Sequence, residues 1–164
     1  MIENKSYTLR ELKELAGQYN LPIEISLFKD ANFYNDNPKI LLIQSDENPY
    51  EGHYVLLFNR DGTTYFYDPS GTKPLEIFSK YGLDQNKQDI TPFYDYLKSK
   101  NVDYNNHNIQ SKNSKICGLM CILRFLYNDL NTDQYYNYLK LIKKQYRIKN
   151  WDDVVIAMLN ATQN

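Results

Sequence analysis

Residues 52–71 read GHYVLLFNRDGTTYFYDPSG, and this stretch predicts a β-hairpin. Residues 53–59 and 63–68 are both rich in β-branched and aromatic side chains, and Asp61-Gly62 lies between them. Asp-Gly between two such runs favours a two-residue hairpin loop. We therefore expect the two segments to pair as antiparallel strands.

The two-residue loop also fixes the register of the hairpin. Leu56 would face Tyr67, and Val55 would face Asp68. His53 lies two residues before Val55, so it would project on the same side of the sheet as Asp68, within reach of its carboxylate. A carboxylate in this position orients an imidazole and stabilises its protonated form. The alternative is a surface histidine beside an aspartate that opens a turn.

The segments outside the hairpin predict an α+β fold. Residues 8–19 begin with a capping box and have apolar residues at helical spacing, as expected for an amphipathic helix. The other predicted helices cover residues 116–130, 133–146 and 151–159, the other strands residues 23–28 and 40–44, the weaker periodic segments residues 75–81 and 90–100, and an extended segment residues 102–110. With the strands in the first half and helices at the end, we expect one domain over residues 1–164.

Composition excludes several classes of protein. Of the 164 residues, 42% are hydrophobic and 24% are charged, and the formal net charge is −1, which excludes a disordered polyelectrolyte. No apolar run approaches the ~20 residues that cross a bilayer. The first residues show no signal peptide, and two cysteines cannot form a disulfide framework. We expect a monomer in a reducing compartment, neither secreted nor membrane-bound.

The two cysteines lie on the helix predicted at residues 116–130. Cys117 would be in the first turn, where the helix dipole favours a thiolate, and Gly118 would leave room for a substrate beside the sulfur. Cys121 lies one turn further on among aliphatic residues, as expected for a buried thiol. Cys117 could equally be a small buried apolar residue. Gln110 precedes Cys117 by seven residues, and its side-chain amide could form an oxyanion hole with the Cys117 N–H.

Three segments together resemble the signature blocks of adenain, the adenovirus maturation protease, and less closely those of proteases that act on ubiquitin-like modifiers. They are residues 52–58 (GHYVLLF), 65–71 (YFYDPSG) and 109–121 (IQSKNSKICGLMC). The resemblance implies a cysteine-protease fold with a central mixed β-sheet and a nucleophile at the N-terminus of a buried helix. It implies His53 as general base, Asp68 as orienting acid, Gln110 as oxyanion donor and Cys117 as nucleophile.

The resemblance also implies a substrate and a location. The substrates would be viral precursor proteins of the capsid or virion, bound as extended peptides and cut after a small residue such as Gly, in the virion or the cytoplasm of the infected cell. The chain is compact and rich in Tyr, Asn and Lys, whose codons are rich in A and T. Both features suit a small DNA virus such as a virophage. Many family members have Trp where this chain has Tyr54, and Asp68 follows the modifier proteases, because adenain has Glu. The alternatives are a modifier protease and an inactive peptide-binding module of the same fold.

The charges and the metal-ligating residue types of the chain suggest two other ligands, nucleic acid and zinc. Lys140, Lys143, Lys144 and Arg147 recur at helical spacing and could contact nucleic acid, or simply form a solvated helix face. His53, His107, Cys117 and Cys121 could hold zinc, since cysteines four residues apart share a helix face. Around the histidines, however, the short ligand spacings of structural zinc sites do not occur. We therefore expect neither a metal nor another cofactor.

Overall fold

The computed structural model describes residues 1–44, 52–80 and 90–163, and within them it has an α+β fold. The strands are β1 (Glu24–Leu27), β2 (Lys39–Gln44), β3 (Gly52–Arg60), β4 (Thr63–Tyr67) and β5 (Val102–Tyr104). The α-helices are α1 (Leu9–Gln18), α2 (Ile77–Lys80), α3 (Thr91–Lys98), α4 (Cys117–Leu126), α5 (Thr132–Gln145) and α6 (Trp151–Thr162). Short 3₁₀ turns cover Phe28–Asp30 and Pro74–Glu76. The predicted fold class is confirmed.

The five strands form one mixed sheet in the order β1-β2-β3-β4-β5. The outer pairs β1/β2 and β4/β5 are parallel, and β3 is antiparallel to both neighbours. Apolar side chains form a core on each face of this sheet. The larger core includes residues of α1, α4, α5 and α6, and the smaller one residues of α2 and α3. The strand β3 is therefore covered on both faces.

The hairpin has the predicted register. Leu56 pairs with Tyr67 and Phe58 with Tyr65. Asp61 has a φ of 52° and Gly62 a φ of 79°, so both loop residues are in the left-handed region that a type I′ turn requires. This turn matches the right-handed twist of the strands, and for that reason the Asp-Gly signal was decisive.

Two segments differ from the sequence prediction. The helix predicted over residues 116–130 ends at Leu126, because the buried Arg124 side chain donates to the carbonyls of Tyr127 at 3.0 Å and Leu130 at 2.9 Å. These bonds hold the chain in a turn that leads into α5. The extended segment 102–110 contributes β5, which pairs with β4 and so joins the sheet. Tyr81, at the end of the predicted segment 75–81, lies outside the described residues.

Within the described ranges, none of the helices combines the length and the apolar character needed to cross a bilayer.

Candidate active site

The candidate active site lies at the end of β4, next to the part of β3 that is not paired with β4. If the hairpin register ran two pairs beyond Leu56 and Tyr67, Tyr54 would face Pro69, which has no N–H to donate to the Tyr54 carbonyl. Helix α4 provides partners for the Tyr54 peptide group instead. The Tyr54 N–H donates to Sγ of Cys117 at 3.5 Å, and Sγ of Cys121 donates to the Tyr54 carbonyl at 3.6 Å. Where Pro69 interrupts the pairing of β3 with β4, the two thiols of α4 thus bond to the peptide group of Tyr54.

His53 and Asp68 form the pair that the hairpin register predicts. His53 Nε2 and Asp68 Oδ1 are 2.6 Å apart. Both residues are buried, His53 being 6% exposed and Asp68 0%. A contact this short between buried groups fixes the orientation of the imidazole ring.

The imidazole of His53 also lies close enough to Cys117 for the thiol to influence its pKa. Burial by itself would lower the pKa of His53, but the bonds and charges of Asp68 and Cys117 outweigh it and raise this pKa to about 9. Because Nε2 is engaged by Asp68, we assign the proton exchange with Cys117 to Nδ1. Asp68 and Cys117 together therefore favour the protonated form of the imidazole.

Cys117 is the first residue of α4, and the following residues hold it against β3. The N-terminal N–H groups of a helix have no intrahelical acceptor, so they can donate to an anion that forms beside Cys117. The loop before Cys117 is tied to α6 by a hydrogen bond from Ser114 Oγ to Asp152 Oδ1 at 2.9 Å. Cys117 is 7% exposed, so its sulfur lies just below the surface.

Asp68 is held by two residues that the sequence did not single out. The Asn105 side chain accepts from the Asp68 N–H at 3.0 Å and donates to the Asp68 carbonyl at 2.6 Å, so it continues the β4/β5 ladder after β5 has ended. The N–H and the hydroxyl of Ser70 donate to Asp68 Oδ1 at 2.8 and 2.7 Å. Burial raises the pKa of Asp68, but the bonds from His53 and Ser70 lower it on balance. The Asp68-Pro69-Ser70 sequence could have signalled the Ser70 contact, since aspartate often accepts from the residue two positions later in a turn.

Gln110 lies beside the Asp68 turn, and the described hydrogen bonds do not join it to Cys117. Its backbone N–H donates to the Pro69 carbonyl at 3.3 Å and to Asn108 Oδ1 at 2.9 Å. The side-chain Oε1 is buried and accepts no hydrogen bond from the described residues. Rotation of the amide by half a turn would present N–H₂ at the same place. An amide end of this kind can pair with a bound group, so the oxyanion role of Gln110 stays a prediction.

Gly118 lets another part of the chain approach α4 closely, and its role in leaving space for a substrate stays a prediction. A Cβ at this position would lie 3.0 Å from Cδ2 of Tyr54 and 3.2 Å from the methyl groups of Leu12. The missing side chain lets α4 approach β3 closely enough for Cys117 to reach the Tyr54 N–H. Cys121 is fully buried, and burial raises the pKa of its thiol well above the ordinary value.

The basic residues of α5 line a groove away from these contacts. Lys140, Lys143, Lys144 and Arg147 border a space of about 670 Å³ together with Tyr136 and Trp151. The ammonium of Lys140 lies over the Tyr136 ring, and that of Lys143 over the Trp151 ring. Cations beside aromatic rings are typical of surfaces that bind single-stranded nucleic acid. The structure places the four residues together, and the nucleic-acid partner stays a prediction.

His107 stacks on Tyr136 with ring centroids 3.7 Å apart. Among the residues that the structure describes, no group of three or more His, Cys, Asp or Glu side chains could hold a metal ion. The described hydrogen bonds of the two cysteines lead to the Tyr54 peptide group.

The sequence matches no family model and no curated protein. The chemistry of the site therefore has to be inferred from its geometry. A thiol at a helix N-terminus, an imidazole near it and a buried carboxylate on that imidazole are the components of nucleophilic acyl transfer.

Proposed function

We propose that this protein is a cysteine endopeptidase with Cys117 as nucleophile, His53 as general base and acid, and Asp68 as the orienting carboxylate. One observation carries the proposal: His53 contacts Asp68 at 2.6 Å and lies near Cys117, at the start of α4. The order His, Asp, Cys along the chain and the adenain-like blocks around these residues support it.

The reaction follows from the positions of these groups. His53 takes the proton of Cys117, and the thiolate attacks the carbonyl carbon of the scissile peptide bond. The Cys117 N–H donates to the oxyanion, and Gln110 is the second donor. When the tetrahedral intermediate collapses, the C–N bond breaks, His53 protonates the leaving amine, and a thioester remains on Cys117. A water molecule that gives its proton to His53 then hydrolyses the thioester, releasing the acid product and the thiol.

The resemblance to adenain supports viral precursor proteins of the capsid or virion as substrates, cut after a small residue such as Gly. A protease that removes ubiquitin-like modifiers is the second candidate, because Asp68 is the third member that the modifier proteases use. Incubation with precursor peptides and with a modifier conjugate distinguishes the two. Cleavage of the conjugate but not of the precursor would assign the protein to the modifier proteases.

A thiol-reactive probe tests the active site itself. Iodoacetamide at mildly acidic pH, where an ordinary thiol is almost wholly protonated, should label Cys117 selectively and abolish peptidase activity. Cys121 supplies the matched control within the same helix, because it is one turn away and its pKa is raised. Label on Cys121, or full peptidase activity in Cys117→Ala, would contradict the proposal. Absence of both label and cleavage would favour the inactive peptide-binding module.

A further inference from the structure

A second layer of polar side chains contacts Asp68 through Ser70. Ser70 Oγ donates its only proton to Asp68 Oδ1 at 2.7 Å. This is the same carboxylate oxygen that contacts His53 Nε2. Ser70 therefore competes with the imidazolium for the negative charge of that oxygen.

Ser70 is in turn bonded to a cation. Lys80 Nζ donates to Ser70 Oγ at 2.9 Å and to Thr72 Oγ1 at 2.6 Å. The two hydroxyl oxygens are 3.2 Å apart. Since Lys80 can only donate, the hydroxyl protons of Thr72 and Ser70 are both directed towards Asp68. In this series of hydrogen bonds, every donor from Lys80 to Ser70 therefore points towards Asp68, the partner of His53.

We propose that Ser70 and Lys80 are positioning residues that hold Asp68 against His53 and weaken its pull on the imidazolium proton. This inference rests on the proposed peptidase function, in which His53 must release its proton to the leaving amine. An unopposed buried carboxylate would hold that proton too tightly, and a nearby positive charge reduces its pull.

The direction of the effect follows from the charges of the described groups around the pair. Cys117 of α4 and Asp68 both favour the protonated form of His53. Tyr67 and Cys121 are close enough to Asp68 for their charged forms to interact with it, but burial keeps both protonated. Lys80 acts in the opposite sense to Asp68 and Cys117. Its removal should make His53 bind its proton more tightly.

The test is an NMR titration of the ring protons of His53, with His107→Gln used to assign the two histidine signals. Lys80→Met and Ser70→Ala should raise the proton affinity of His53 about threefold or more. Lys80→Arg and Ser70→Thr keep the charge and the hydroxyl, so both should titrate like the unmodified protein. Lys73→Met is the matched control, because it removes an exposed lysine of the same turn region.

The direction of the change separates tuning from a purely structural role. If Asp68 merely lost its support in the variants, it would leave His53 and the proton affinity would fall. Such a fall, or an unchanged titration, would overturn the inference. The titration needs no substrate, so it can be judged separately from the proposed function. If the proton affinity of His53 shifts as expected but the protein cleaves no peptide, the inference about Ser70 and Lys80 holds and the proposed peptidase function is wrong.

Discussion

The peptide group of Tyr54 explains why two cysteines lie one turn apart. Cys117 accepts from its N–H and Cys121 donates to its carbonyl, so each thiol replaces half of a strand pairing that Pro69 prevents. The two thiols nevertheless differ in chemistry. Cys117 has His53 beside it, whereas Cys121 lies among buried aliphatic side chains where a thiolate is unfavourable.

Gln110→Ala should lower turnover by about 10²–10³-fold, because it removes a donor to charge that develops only in the transition state. Thermal stability should change little, since the Oε1 atom of Gln110 accepts no hydrogen bond from the described residues. The comparison is made by steady-state kinetics on a peptide substrate. Gln110→Glu is the size-matched control, because it keeps the volume but lacks the N–H donor and should be equally impaired. Unchanged turnover in both variants would remove Gln110 from the mechanism.

His53 and Asp68 should act as one unit, because the carboxylate works only through the imidazole. Asp68→Ala should lower activity strongly, and the double variant with His53→Ala should be little worse than His53→Ala alone. Peptidase assays on the three variants complete the cycle, with circular dichroism as a check on folding. Losses that multiply fully would mean that the two residues contribute independently.

At the scale of elements, the close approach of α4 to β3 positions Cys117. Gly118→Ala should destabilise the protein by about 1–3 kcal/mol, since a new methyl group would push against Tyr54 and Leu12. It should also lower activity, because moving Tyr54 moves the N–H that donates to Cys117. Denaturant unfolding and peptidase assays measure the two effects.

Gly17 provides the control for this substitution in another helix. It lies within α1, and a Cβ there would meet nothing within 4 Å. Gly17→Ala should therefore stabilise the protein by up to about 1 kcal/mol through helix propensity and leave activity unchanged. Equal effects at both glycines would show that close packing of α4 is not what Gly118 provides.

At the scale of the whole molecule, the buried His53–Asp68 pair makes stability depend on pH. Interactions with Asp68 and Cys117 outweigh burial and raise the pKa of His53 from 6.5 to about 9, so its stabilising contribution is complete below pH 6.5 and is lost as the pH rises through 9. The pKa of Asp68 is lowered from 3.8, so its contribution is present above pH 3.8 and is lost as the pH falls below that value. Melting temperatures measured across this range should be highest in between. In His53→Ala the decline towards pH 9 should be smaller, and an unchanged decline would assign it to other groups.

The groove on α5 permits a separate prediction about nucleic acid. The double variant Lys140→Ala/Lys144→Ala should weaken binding of a single-stranded oligonucleotide and make this binding less dependent on salt. The reason is that fewer counterions leave the oligonucleotide when fewer lysines contact its phosphates. Fluorescence anisotropy at several salt concentrations measures both quantities, and Lys13→Ala on α1 serves as a control that removes one exposed lysine of another helix. An oligonucleotide that does not bind the unmodified protein would identify the lysines as a solvated helix face.

Local sequence patterns were sufficient to predict contacts between residues that lie close together along the chain. Asp61-Gly62 and the flanking strands predicted the hairpin, its register and the His53–Asp68 contact, because a two-residue loop leaves one way to pair the strands. The capping box at Thr8 similarly predicted the start of α1. The α+β class followed from the order of such segments along the chain.

Tertiary structure alone decided what depends on distant segments. Asn105 reaches Asp68 from the position just after β5, Cys117 reaches Tyr54 from α4, and Arg124 ends α4 by bonding to the next turn. None of these contacts leaves a period or spacing in the sequence, because a single polar side chain has many possible partners until the sheet and helices place one beside it. The sequence by itself thus determined the hairpin with its His–Asp pair, and only packing of α4 on β3 decided that Cys117 lies beside that pair.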